Sequence, residues 1–116
     1  MSFFRQSVLY HIDEQNSLYV HGGFKVGVPI EEQDERYLTW DRDLIDYPQK
    51  IPQYKEVFVG HTSIWRDSTV PKKYGDTWGM DTGGGWEGKL SMMNIKTKEV
   101  FQSDRVRDLY PNERGR

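Results

Sequence analysis

Apolar, β-prone residues gather first at Val8 to Ile12 and again at Leu18 to His21, with the polar run Asp13-Glu14-Gln15-Asn16-Ser17 between them. Strand-forming runs flanking turn-forming residues predict a hairpin. From Pro29 to about Tyr47 the spacing changes. Ile30, Tyr37, Leu38, Trp40, Leu44 and Ile45 fall on roughly one helical face, and Glu31, Glu32, Asp34 and Glu35 lie toward the start, where acids suit a helix dipole. Pro48 and Pro52 close this region. Tyr54 to Gly60 predicts a strand that becomes wholly apolar, as a strand buried between layers does. Thr62 to Tyr74, polar with Pro71 and two lysines, predicts a surface loop.

The last third is the richest in strand signals: Thr77 to Thr82, a glycine cluster, then Lys89 to Ile95 and Lys98 to Ser103 joined by a turn at Lys96-Thr97. At the ends, Phe3 and Phe4 either finish a short helix or form an apolar tag. Asp104 to Arg116 predicts an extended charged tail anchored by Val106, Leu109 and Tyr110. The pattern as a whole is α+β: a mixed sheet with a C-terminal hairpin and a flanking helix.

Length and composition narrow the classes. A chain of 116 residues fits one modest domain, and four Trp, seven Tyr and five Phe supply bulky core material. With 16 basic and 18 acidic residues scattered along the chain, no basic stripe accumulates, so no nucleic-acid partner is expected. The absence of cysteine excludes disulfides and thiolate metal sites. Nowhere do eighteen apolar residues run together, and the N-terminus lacks the apolar core of a signal peptide, so a soluble, cytoplasmic chain without membrane association is expected.

Three features carry candidate chemistry. Gly83-Gly84-Gly85-Trp86-Glu87-Gly88 formally satisfies G-x-G-x-x-G, but a hairpin pattern follows it where a dinucleotide site needs a helix. The glycines then read as positive-φ or close-packing positions between two strands. His21 and His61 each end an apolar strand beside glycine, which suits either metal ligands at a sharp turn or hydrogen-bonded rim residues. His11 has no adjacent glycine and reads as structural. Arg42, between Asp41 and Asp43, is either a surface cation neutralised by its neighbours or a bidentate clamp for phosphate, with Trp40 near enough to fix its position.

Four ordered blocks together resemble a known family: Leu18-Tyr19-Val20-His21-Gly22-Gly23, Leu38-Thr39-Trp40-Asp41-Arg42-Asp43-Leu44, Val57-Phe58-Val59-Gly60-His61-Thr62, and Trp78-Gly79-Met80-Asp81-Thr82-Gly83 with Gly88-Lys89-Leu90. In order and spacing they look like the C-terminal half of calcineurin-like metallophosphoesterases, nearest the bacterial and phage enzymes related to serine/threonine protein phosphatases. The resemblance covers nearly the whole chain, residues 1–116, as a single partial domain ending in the charged tail 104–116. It implies one layer of a two-sheet sandwich flanked by helices. It also implies that His21 and His61 are ligands of one ion in a two-metal centre of Mn, Fe or Zn, that Arg42 binds substrate phosphate, and that the glycine cluster packs in the sheet beneath the site.

The family's N-terminal strings D-x-H, G-D-x-x-D-R-G and G-N-H-D/E do not occur here, and with them go the bridging aspartate, the remaining ligands and the general-acid histidine. The chain is therefore expected to bind metal weakly or not at all by itself and to be inactive alone. As the C-terminal portion of a metal-dependent phosphatase, it would meet its phosphorylated substrate when an N-terminal half completes it. The alternative expectation is a non-catalytic interaction module, or a homo-oligomer formed through an uncovered half-sheet.

Overall fold

The structure, a computed structural model, describes residues 8–46, 50–85 and 87–109. The predicted first hairpin forms from β1 (Tyr10–Ile12) and β2 (Ser17–Val20), antiparallel, with His11 opposite Tyr19. Asp13 closes its turn: Oδ1 accepts from the N–H groups of Gln15 and Ser17 at 2.9 Å each, and Oδ2 accepts from the Tyr19 hydroxyl at 2.6 Å. β2 starts a residue earlier than the apolar run suggests and ends before His21, which leaves the ring beyond the ladder.

β2, β3 (Glu56–Val59) and a later strand, Thr77–Gly79, run parallel at the centre of a five-stranded sheet. Their neighbours on either edge, β1 and β4 (Lys72–Tyr74), are antiparallel to them, and with Thr77–Gly79 as β5 the order is β1-β2-β3-β5-β4. The expected loop Thr62 to Tyr74 therefore ends in an edge strand. Gly75, at φ 62°, turns the chain back so that Tyr74 pairs with Thr77. The exposed Lys72 and Lys73 that suggested a loop are the charges an edge strand carries against unwanted pairing.

The single helix expected from Pro29 to Tyr47 is instead three short pieces: a 3-10 turn at Ile30–Glu32, α1 at Glu35–Trp40, and a second 3-10 turn at Leu44–Asp46. Side chains that bond to the backbone break it. Gln33 is extended, and its amide reaches back to Lys25 N and O at 2.8 Å and to Val28 O at 3.1 Å. Asp34 then restarts the helix as an N-cap, accepting from Arg36 N–H at 2.8 Å. Asp41 ends it in extended conformation and accepts from Asp43 N–H at 3.3 Å.

The two faces of the sheet differ in kind. On one, Leu18, Val20, Val57 and Val59 meet Phe24, Ile30, Leu38, Leu44, Ile51 and Tyr54, and this is the hydrophobic core. Each side chain so buried contributes about 1.5–3 kcal/mol. On the other, the register lines up His11, Tyr19, Phe58 and Trp78 in one row across four strands. Tyr19 and Phe58 stack with centroids 5.1 Å apart, and Phe58 and Trp78 with centroids 6.3 Å apart.

The C-terminal hairpin forms as β6 (Ser91–Met93) and β7 (Val100–Gln102), a separate two-stranded sheet. Lys98, at φ 63°, lays its ammonium over the Phe58 and Trp78 rings and 3.0 Å from Glu56 Oε1, so one residue of the hairpin turn reaches the aromatic row. The tail is not extended where it is described. Val106–Leu109 forms one helical turn, α2, tied by Val106 N–H to Gly88 O at 2.8 Å, while the Leu109 expected as an anchor is 52% exposed. Residues 110–116, with Tyr110, and the Phe3-Phe4 pair lie outside the described residues, as do Tyr47, Pro48 and Trp86.

Candidate functional site at the ends of three parallel strands

β2, β3 and β5 all point their carboxyl ends to the same edge, the place where open parallel sheets form crevices. The pairing runs on past each strand: Gly60 N–H donates to His21 O at 3.0 Å, and Met80 N–H donates to Val59 O at 2.9 Å. His21, His61 and Asp81 thus leave the sheet side by side. His61 takes a left-handed φ of 55°, and its ring comes within 5.0 Å, centroid to centroid, of the exposed His21 ring. His61 is 9% exposed and stands perpendicular to the Trp40 indole at 5.4 Å.

The glycines beside the histidines have a different purpose from the sharp turn expected of them. Neither Gly22 nor Gly23 has positive φ. A Cβ on Gly22 would sit 2.8 Å from the Thr39 carbonyl carbon and oxygen and 2.9 Å from Asp41 N, and one on Gly23 would overlap Asp41 Oδ2. Gly22 N–H also donates to Leu38 O at 2.8 Å. The two glycines let the chain after His21 press against the C-terminus of α1. That contact carries Trp40 and Arg42 to the histidines.

Asp41, between them, is turned inward and buried. Burial, helped by the neighbouring Asp43 charge, pushes its carboxyl above the usual range, while the N–H groups of Asp43 and Leu44 and the Tyr37 hydroxyl pull it back only partly. Arg42 is exposed and forms no ion pair with Asp41, Asp43 or any other described residue. The surface pairing open to it from sequence is not made.

His21, Thr39, Trp40, Arg42, His61, Ser63, Asp81, Gly83, Gly85 and Glu87 line one cavity of about 560 Å³. All three residues singled out from sequence as a site, His21, His61 and Arg42, are therefore brought together. His11 is not among them: it stands against Tyr19 in the aromatic row, at 5.9 Å. Asp81, Glu87 and Ser63 are additions. Asp81 follows an apolar strand as both histidines do, and that position was a signal available in the sequence. Its Oδ1 accepts from Gly83 N–H at 3.0 Å, which shapes the glycine loop. Gly83 (φ 83°) bridges to Lys89, and Gly88 packs so closely that a Cβ there would overlap the Thr82 carbonyl oxygen. The cluster is thus a close-packed turn bounding the cavity.

Among the described residues no three His, Asp or Glu side chains converge closely enough to hold an ion. The chain offers two imidazole donors, and the set does not by itself fit a pair of metal ions. Also among them, no helix is long and apolar enough to cross a membrane. Comparison of the sequence with models of known protein families and with curated proteins finds no match.

Proposed function

We propose that this chain supplies part of a phosphoester-hydrolysing metal centre, the C-terminal portion of a metal-dependent phosphatase: two imidazole ligands from His21 and His61 and a phosphate clamp from Arg42. The observation that carries the reading is the 5.0 Å separation of the two rings at the ends of adjacent parallel strands. Metal–nitrogen bonds of about 2.0–2.1 Å at tetrahedral angles put two imidazoles on one ion with centroids roughly 5 Å apart. Arg42, unpaired among the described residues and lining the same cavity, supplies a planar donor fork that matches phosphate. With the donor set incomplete, carboxylates must come from a complementing polypeptide, and the chain alone is expected to be inactive.

The test has two arms. Manganese added to the isolated chain should broaden the NMR signals of His21 and His61 selectively, with weak affinity. An N-terminal half carrying D-x-H and G-D-x-x-D-R-G, supplied separately, should restore metal-dependent hydrolysis of p-nitrophenyl phosphate. Activity that survives both His21→Ala and His61→Ala would sink the assignment.

A second reading, a self-associating module without chemistry, is favoured by a different feature. Leu90, Met92 and Phe101 are 67%, 68% and 55% exposed on the small hairpin, with Met92 directly opposite Phe101. Such a patch serves association and not catalysis.

A further inference from the structure

The cavity is much larger than a phosphate group, and one of its walls is an exposed indole. Trp40 is 67% exposed, and among the described residues it is the exposed large hydrophobic side chain that lines the cavity of His21, His61 and Arg42. It is also held in place. Its ring is perpendicular to the buried His61, and its backbone belongs to the helix end against which Gly22 is pressed. Asp41 between Trp40 and Arg42 is extended, at φ −61° and ψ 141°, so the two side chains enter one cavity from either side of an inward-turned residue. A fixed, open indole beside a guanidinium with no ion pair among the described residues is a platform for a flat ring carrying a phosphate.

We propose that the site selects phosphomonoesters whose leaving group is a planar aromatic ring, stacked on Trp40 while Arg42 holds the phosphate; this rests on the phosphate-site reading above. Aliphatic phosphates leave the indole wet. Ring-bearing phosphates cover it, and the about 560 Å³ of the cavity accommodates both parts of the ligand. Trp40 is on this account a specificity residue, and Arg42 determines whether phosphate binds at all.

NMR titration of the full chain with inorganic phosphate, glycerol phosphate and phenyl phosphate separates the two claims. Phenyl phosphate is expected to bind about tenfold more tightly than glycerol phosphate, the effect of stacking one ring. Intermolecular NOEs from the phenyl protons to the Trp40 indole should accompany it. Trp40→Phe should keep most of the ratio and Trp40→Leu should bring it toward one, while Arg42→Gln weakens all three ligands. Equal affinities for the phenyl and glycerol esters, with Arg42-dependent phosphate binding intact, would overturn the stacking and leave the phosphate site standing. No Arg42-dependent binding of any of the three would overturn both. The NOEs are read on the unaltered chain, so the stacking is tested even where Trp40→Leu fails to fold.

Discussion

At the scale of single residues, the glycines after His21 couple the strand end that carries this histidine to the helix that carries Trp40 and Arg42. The Cβ distances rank them. At Gly22 the obstacle is backbone at 2.8 Å, at Gly23 it is the end of an Asp41 side chain that can move, and at Gly60 nothing lies nearer than 3.8 Å. Gly22→Ala is therefore expected to destabilise the fold by about 1–3 kcal/mol, the usual cost of overpacking. Gly23→Ala should cost less, and Gly60→Ala should stay within about 0.5 kcal/mol of the parent. Urea unfolding midpoints check the order, and a Gly60→Ala chain less stable than Gly22→Ala would refute the close-approach account. Gly22→Ala should also move the indole signal of Trp40, because it pushes the end of α1 away from the histidines.

At the scale of elements, one carboxylate fastens the C-terminal hairpin to the central sheet. Glu56 begins β3, accepts from Trp78 Nε1 at 2.6 Å and Lys98 Nζ at 3.0 Å, and has Lys73 Nζ at 3.6 Å. Burial pushes its carboxyl up, but the hydrogen bonds from Trp78 and Lys98 and the charges of Lys98 and Lys73 together outweigh it and hold it below 4.5. An acid lowered in the folded state contributes stability that is present above its unfolded pKa and is lost as pH falls through the folded one. The parent chain should thus lose stability below about pH 4.5, and Glu56→Gln should flatten that acid limb. Lys98→Met, which removes the nearer of its two cations, is expected to cost about 1–3 kcal/mol at pH 7 and to raise the Glu56 pKa. An unchanged acid limb in Glu56→Gln would remove Glu56 as its source.

The same elements show what was legible beforehand. Strand-forming runs bounded by turn residues mark β1, β2 and the last hairpin, and a wholly apolar run marks β3, which is buried along its whole length. The apolar spacing could not show that Asp34 and Asp41 would each bond the backbone two residues on, or that Gln33 would reach back to Lys25 and Val28, and so cut one helix into three. β4 was hidden because Lys72 and Lys73 suit an edge and a loop equally. Of the site, His21, His61 and Arg42 could be picked out by block order. Asp81 shares the histidines' position after a β-prone run, but its meeting with them depends on which strands pair in parallel, and such runs do not carry that information.

At the scale of the whole molecule, the sheet presents a finished core on one face and a partly covered aromatic row on the other, while the cavity at its carboxyl edge has two imidazoles where an ion needs more donors. On the reading proposed above, both features take other surfaces. The small hairpin supplies one that the chain can satisfy with a second copy of itself, since Leu90, Met92 and Phe101 form an apolar face on a two-stranded sheet. Sedimentation velocity is expected to show reversible association that strengthens with concentration. Met92→Lys combined with Phe101→Glu should abolish it, because opposite charges facing each other keep the hairpin paired while its face becomes hydrophilic. The melting temperature at low concentration should be unaffected. A double variant that still associates would place the contact elsewhere, with the groove between His11, Tyr19 and Phe58 the next surface to alter. If the variant is monomeric and still binds phosphate through Arg42, self-association and the strand-end site are independent properties of one fold.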